Sequence, residues 1–182
     1  MLTIDMLEWG MPRLLVCPLS ALDVSLQDHG PSHLVSLLSP ERMIETPKGF
    51  DPAHHLRLGI DDVADPENAD NPPGRDHVER LLAFGRGWDG RSPLLIHCWA
   101  GISRSMASAF VLLCDRLEQG REIDIALAMR RRAPHASPNT LMVRHADEAL
   151  GRGGRMVKAL STMGQPLSVM EGVPTAFPLV GL

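Results

Sequence analysis

Short apolar runs, separated by polar segments that contain glycine and proline, divide the first hundred residues of the chain. Four of these runs are nearly continuous, which is typical of strands covered on both faces of a parallel sheet. They predict strands at residues 13–19, 33–38, 55–60 and 93–98. Candidate helices at residues 20–29 and 75–84 alternate with the strands. This order predicts an α/β fold: one domain with a central, mainly parallel sheet of four to five strands and helices on both sides.

The pattern becomes helical after residue 98. Apolar residues from Met106 to Leu117 recur at i, i+4, i+7 and i+11, which marks one face of a helix that Gly120 ends. Further helices are expected at residues 123–132 and 140–150. The acidic, proline-rich segment at residues 61–74 must be a loop.

A run of Gly-Arg-Gly-Gly at residues 151–154 divides the chain near its end. We therefore assign residues 1–154 to the main domain and residues 155–182 to a C-terminal extension. The extension has no clear period but is too apolar for a solvated tail. We expect it to pack on the surface of the same domain.

Composition and charge exclude several classes of protein. The chain has 182 residues, of which 44% are hydrophobic and 22% charged, as in an ordinary globular domain. Its net charge of −4 gives no reason to expect a nucleic acid partner. No run is apolar enough to span a membrane, and the N-terminus does not resemble a signal peptide. Three cysteines argue against a disulfide scaffold and for the cytoplasm. The oligomeric state stays open.

The segment Ile-His-Cys-Trp-Ala-Gly-Ile-Ser-Arg-Ser, at residues 96–105, carries the chemistry. It follows a predicted strand and precedes a predicted helix, where the backbone N–H groups of a small-residue loop can bind an oxyanion. The environment of Cys98 at this position favours the thiolate form. Arg104 follows six residues later, and its planar guanidinium can bind two phosphoryl oxygens. No cofactor or metal is expected, since adjacent His54 and His55 would point to opposite faces of a strand.

This segment resembles the signature loop of the protein tyrosine phosphatase superfamily, and its Ala-Gly-Ile-Ser-Arg-Ser run resembles the dual-specificity branch. We call residues 98–104 the signature loop. The resemblance implies that Cys98 is the nucleophile, Arg104 binds the phosphate, Ser105 assists departure of the sulfur and His97 orients the loop. It also implies that the substrate phosphate is held by the backbone and side chains of the loop: Trp99, Ala100, Gly101, Ile102, Ser103 and Arg104.

The family also requires a general acid, an Asp in a loop that follows an earlier strand. Asp61 and Asp62 both come after the predicted strand at residues 55–60, and alignment on that strand favours Asp62. Downstream, Asn139 of a Pro-Asn pair either braces the signature loop or caps the next helix.

The resemblance implies hydrolysis of phosphomonoesters through a phosphocysteine intermediate, without a cofactor. The expected partner is a phosphorylated protein that carries phosphotyrosine or phosphoserine/threonine. A phosphoinositide or small-molecule phosphatase of the same superfamily is an alternative. An inactive module that binds phosphoproteins is an alternative of another class.

Overall fold

Five strands form the central sheet of the protein, whose structure is a computed structural model that describes residues 13–180. The strands are β1 Arg13–Pro18, β2 His33–Leu38, β3 His55–Gly59, β4 Leu94–Cys98 and β5 Thr175–Pro178. Their order is β3-β2-β4-β1-β5, with β1 to β4 parallel and β5 antiparallel to β1. The predicted α/β fold with a mainly parallel sheet is therefore confirmed. Residues 1–12 and 181–182 of the predicted domain and extension lie outside the described residues.

Within residues 13–180 six α-helices accompany the sheet: α1 Leu22–His29, α2 Arg75–Gly87, α3 Arg104–Arg116, α4 Glu122–Arg132, α5 Thr140–Ala149 and α6 Arg155–Ser161. A short 3-10 turn at Leu19–Ala21 precedes α1. Helix α3 begins two residues before the predicted start at Met106, so Arg104 lies in its first turn. No helix among residues 13–180 is both long enough and apolar enough to cross a bilayer.

Side chains alternate along the strands between two hydrophobic layers. Val16, Val35 and Ile96 belong to the larger layer, which packs against α2 to α6. Leu34 and Leu95 point to the other face, where α1 covers a smaller layer. Because the strands are buried on both faces, they read as continuous apolar runs in the sequence. Helices lie on both sides of the sheet as predicted, although five of the six lie on one side.

The C-terminal segment is more regular than its sequence suggested. It contributes α6 and then β5, which extends the sheet beside β1 in a register that pairs Leu14 with Phe177. The Phe177 side chain is fully buried in the larger layer. The sequence did not reveal this strand, because four residues are too few to show a strand period.

The carboxyl ends of the four parallel strands meet at one edge of the sheet. Pro18 of β1 lies in register with Cys98 of β4, and the connections after β2 and β3 emerge at the same edge. In open α/β sheets this edge is where ligands bind. The fold therefore collects the segments around Leu19, Ser39, Asp62 and Cys98 in one place.

Candidate active site

The carbonyl groups of the signature loop are bound from outside. Neighbouring segments donate backbone hydrogen bonds to four of them: Leu19 N–H to Trp99 O (3.1 Å), Gly172 N–H to Ala100 O (2.8 Å), Ser137 N–H to Ile102 O (3.0 Å) and Asn139 N–H to Ser103 O (3.3 Å). In a trans peptide the N–H group points opposite to the carbonyl. Outward carbonyls therefore turn backbone N–H groups towards the inside of the loop, which is the geometry of an anion-binding nest.

Gly101 makes the tight turn of this loop possible. Its φ of +71° is in the left-handed region that favours glycine. A Cβ atom at this position would lie 2.7 Å from the backbone nitrogen of Pro18 and 3.0 Å from the carbonyl carbon of Cys17. The Gly101 N–H group donates to the Cys98 sulfur at 3.3 Å, so this part of the backbone faces inward.

The Cys98 thiol lies at the floor of the loop, with only 1% of the residue exposed. Its sulfur is 3.1 Å from the Ser105 hydroxyl, in addition to the contact with Gly101. Helix α3 begins at Arg104, directly after the loop, so the positive end of its dipole is close to the sulfur. The Gly101 N–H and the Ser105 hydroxyl thus both lie within hydrogen-bond distance of the sulfur.

The Arg104 guanidinium is buried and only partly satisfied. Its Nη1 donates to the carbonyl of Ile60 at 2.8 Å. Its Nε lies 3.5 Å from Oδ2 of Asp62, an ion pair that is too long for a strong hydrogen bond. Among residues 13–180 the buried Nε–H has no acceptor. An unsatisfied buried donor is costly, and a phosphoryl oxygen is a suitable acceptor for it.

The two adjacent aspartates have different environments. Oδ1 of Asp62 accepts from the Ser103 hydroxyl at 2.6 Å and from the Asn139 side-chain amide at 3.0 Å. Oδ2 of Asp61 accepts instead from the backbone of Asn71 at 3.1 Å. A hydrogen bond from the hydroxyl of Ser39, together with that backbone bond, holds the pKa of Asp61 below its ordinary value. The structure thus places Asp62 against the signature loop and ties Asp61 to other segments.

Asn139 both caps a helix and braces the site, the two alternatives that the sequence left open. Its Oδ1 accepts from the backbone of Met142 at 3.0 Å, which makes it the N-cap of α5. Its Nδ2 donates to Asp62 and also to the Val63 carbonyl at 2.9 Å. The loop that carries Asp62 is therefore fastened to the N-terminus of α5.

A chain of hydrogen bonds runs across three strands behind the signature loop. The His97 Nε2 lies 2.6 Å from the Ser36 hydroxyl, which lies 2.8 Å from Nε2 of His55. The His55 Nδ1 is in turn 3.0 Å from the Thr46 hydroxyl, and the His97 Nδ1 is 3.4 Å from the Cys98 carbonyl. We call these four side chains the histidine relay.

The protonation state of the two histidines determines which group donates in each hydrogen bond of the histidine relay. Burial lowers the pKa of both His97 and His55 to about 4, so each ring is neutral at pH 7 and carries one N–H. If the Nδ1–H of His97 donates to the Cys98 carbonyl, then Ser36 must donate to His97 and accept from His55, and Thr46 must donate to His55. Sequence reasoning found His97 but missed Ser36, although a polar residue inside an apolar strand was an available signal.

A cavity of about 430 Å³ opens above the signature loop. Its lining includes Asp62, Arg104, Ala100, Leu38 and Trp99. The Trp99 ring is half exposed, and the guanidinium of Arg42 lies 5.0 Å from its centroid. Sequence reasoning assigned Trp99 to the substrate site but missed Arg42, because nothing in the sequence brings residue 42 close to residue 99.

No protein-family model and no curated protein matches the sequence. Comparison with solved structures does find matches. PTPMT1 in complex with PI(5)P superimposes with a TM-score of 0.55 at 16% identity, over 77% of this chain and 94% of that one. DUSP15 superimposes with a TM-score of 0.51 at 18% identity, over 85% of this chain and 90% of that one. The chain has a dual-specificity phosphatase fold. The Yvh1 phosphatase domain from Chaetomium thermophilum shares this fold. It superimposes with a TM-score of 0.51 at 21% identity, over 79% of this chain and 93% of that one.

Proposed function

We propose that the protein is a cysteine-dependent phosphomonoester hydrolase that acts through a phosphocysteine intermediate. One observation carries the proposal. The Cys98 sulfur lies 3.3 Å from the Gly101 N–H and 3.1 Å from the Ser105 hydroxyl, inside a loop whose carbonyls are bound from outside. The dual-specificity phosphatase fold supports the same reading.

Substrate binding would use the loop and Arg104. Inward N–H groups of residues 100, 101, 103 and 104, the last at the N-terminus of α3, would bind the phosphoryl oxygens. The Arg104 Nε–H, which has no acceptor in the described part of the chain, would donate to one of these oxygens. Its Nη1 would keep the bond to the Ile60 carbonyl and hold the guanidinium plane in position.

In the first chemical step the Cys98 thiolate attacks phosphorus and forms a P–S bond while the bond to the leaving oxygen breaks. Asp62 in its acid form gives a proton to that oxygen. Its Oδ1 is held by Ser103 and Asn139, so Oδ2, on the Arg104 side, is the atom that carries the proton.

In the second step water attacks phosphorus, and Asp62, now a carboxylate, accepts a proton from it. The P–S bond breaks and inorganic phosphate is released. The Ser105 hydroxyl, 3.1 Å from the sulfur, stabilises the departing thiolate with a hydrogen bond. His97 holds the Cys98 peptide from behind the loop and does not act as the base.

The proposed substrate is a phosphorylated protein that carries phosphotyrosine or phosphoserine/threonine. The apolar cavity walls Leu38 and Trp99 suit the hydrocarbon part of a phosphorylated side chain. A phosphoinositide is the second candidate, because PTPMT1, which shares this fold, has been crystallised with PI(5)P.

The test is hydrolysis of p-nitrophenyl phosphate by three matched proteins: wild type, Cys98→Ser and Cys114→Ser. Both variants replace a buried thiol by a hydroxyl, and Cys114 lies within α3, away from the loop. We expect Cys98→Ser to lose all turnover while it keeps its fold and its affinity for phosphate. Cys114→Ser should retain turnover once any loss of stability is taken into account. Equal turnover by Cys98→Ser and wild type would overturn the proposal.

Arg104→Lys tests the geometry of phosphate binding. Lysine keeps the positive charge but cannot reproduce the planar donor pair, so its turnover should fall as far as that of Arg104→Ala. A lysine variant with normal kinetics would show that charge alone is sufficient. If wild type binds phosphopeptides but hydrolyses no phosphomonoester, the inactive binding module becomes the correct reading.

A further inference from the structure

The catalytic cavity contains a second guanidinium that phosphoryl transfer does not use. Arg42 ends the 3-10 turn Pro40–Arg42 that follows β2, and its side chain lines the same 430 Å³ cavity as Arg104. It stacks near the half-exposed Trp99 ring at 5.0 Å. The two cations therefore line one small site, one at its floor and the other at its mouth.

Within residues 13–180 no carboxylate pairs with the Arg42 guanidinium. Some other exposed arginines do have such partners: Arg86 pairs with Asp115 at 2.6 Å and Arg75 with Glu79 at 2.7 Å. The carboxylate of the cavity, Asp62, is already engaged by Ser103, Asn139 and Arg104. The positive charge at the mouth is thus not neutralised by the described residues.

Trp99 gives this charge a defined position. An arginine over an indole face is attracted by the ring quadrupole, and this contact places the Arg42 guanidinium beside the indole ring. Because Trp99 directly follows the nucleophile in the chain, the stacked guanidinium is fixed relative to the phosphate nest. A planar guanidinium with an open edge binds a carboxylate or a phosphate through two hydrogen bonds.

We propose that Arg42, held by Trp99, is a subsite for a second anionic group of the substrate. This inference rests on the proposed function and specifies its substrate class: a phosphopeptide that bears an acidic side chain or a second phosphate next to the hydrolysed phosphate. Leu38, Trp99 and Ala100 form walls that suit the hydrocarbon stem of a phosphorylated side chain better than the hydroxyl-rich ring of an inositol.

The experiment compares two phosphotyrosine peptides that differ only by Glu or Gln beside the phosphotyrosine. Wild type should prefer the Glu peptide by about tenfold in kcat/KM, mostly through KM, which corresponds to about 1.4 kcal/mol. In Arg42→Gln the preference should fall towards one. The control Arg75→Gln, which removes an exposed arginine at the start of α2, should keep the wild-type preference. Raising the salt concentration should reduce the preference in wild type.

The outcomes separate this inference from the proposed function. If wild type hydrolyses both peptides equally, or Arg42→Gln keeps the preference, the subsite is refuted while the phosphatase proposal stands. If wild type hydrolyses no phosphomonoester at all, the proposed function itself fails. If Arg42→Gln impairs only the hydrolysis of a soluble inositol bisphosphate and leaves the peptide preference intact, the site serves an inositol headgroup and the peptide assignment is overturned.

Discussion

Replacement of Gly101 by alanine tests whether the shape of the signature loop determines activity. The substitution adds one methyl group at a residue with φ of +71°. That methyl carbon would lie 2.7 Å and 3.0 Å from backbone atoms of Pro18 and Cys17. Both belong to β1, which pairs with strands on both sides and cannot move easily. We therefore expect the loop rather than the strand to shift.

Gly164→Ala provides a matched control. Gly164 has a φ of +68°, and an added Cβ would meet no atom within 4 Å. Left-handed backbone costs a residue other than glycine roughly 1–2 kcal/mol, and both variants should lose this amount of stability. Only Gly101→Ala has the additional clash, which should cost a further 1–3 kcal/mol or so, as overpacking typically does. A displacement of about 1 Å at a reacting centre can lower the rate by about 10²-fold.

Urea unfolding would measure the free energy of unfolding of both variants, and kcat/KM for p-nitrophenyl phosphate would measure activity. We expect Gly164→Ala to retain nearly normal activity and Gly101→Ala to lose about 10²-fold, with weaker vanadate binding. If both variants lose stability equally and both remain active, the close approach of the loop to β1 does not control catalysis, and the reasoning fails.

Three further predictions follow from the contacts of the site. Asp62→Asn should slow the hydrolysis of a phosphopeptide by about 10²–10⁴-fold and that of an activated aryl phosphate much less. Asp61→Asn should change neither rate much. If instead the rate of Asp61→Asn depended on the leaving group and that of Asp62→Asn did not, the two aspartates would exchange roles. Gly172→Ala should lower activity, because its Cβ would lie 2.6 Å from His135 Nε2 and 3.0 Å from the Gly101 carbonyl. A normal kcat/KM would contradict the view that the segment at Gly172 supports the signature loop. Because the folded-state pKa values of His97 and His55 are about 4, below the ordinary 6.5, the unfolded chain binds more protons between these pH values. Above pH 6.5 the two neutral histidines therefore make their full contribution to stability. As the pH drops towards 4, the free energy of unfolding should fall by about 1 kcal/mol per pH unit for each histidine. A free energy of unfolding by urea that does not change with pH would refute buried neutral rings.

The parallel part of the fold was predictable because burial on both faces makes β1 to β4 nearly continuous apolar runs. Strand β5 was not predictable, since it has four residues and its pairing with β1 joins segments about 160 positions apart in the chain. The same limit applies to the helix boundary at Arg104. Polar residues 103–105 carry no apolar period, so the periodic signal starts only at Met106.

The arrangement of the candidate site was predictable where its residues lie within one short segment. Cys98, Arg104 and Ser105 are near neighbours in sequence, and the structure brings them together at the end of β4. The histidine relay was not predictable, because Ser36 meets His97 only through the register of β2 with β4. Contacts of the loop with Gly172 were equally hidden, since they depend on where the C-terminal segment crosses the sheet edge.

The measurement that tests the central claim most directly is the capture of the covalent intermediate. The protein would be mixed with a phosphotyrosine peptide, quenched rapidly in acid and digested, and the fragment that contains Cys98 would be weighed by mass spectrometry. The account predicts that this fragment gains the mass of one phosphoryl group in wild type, and gains more of it in Asp62→Asn if the loss of the base slows hydrolysis of the intermediate. The same fragment from Cys98→Ser should gain nothing. A phosphoryl group found on another residue, or turnover with no phosphoryl group on Cys98 at any quench time, would contradict the account.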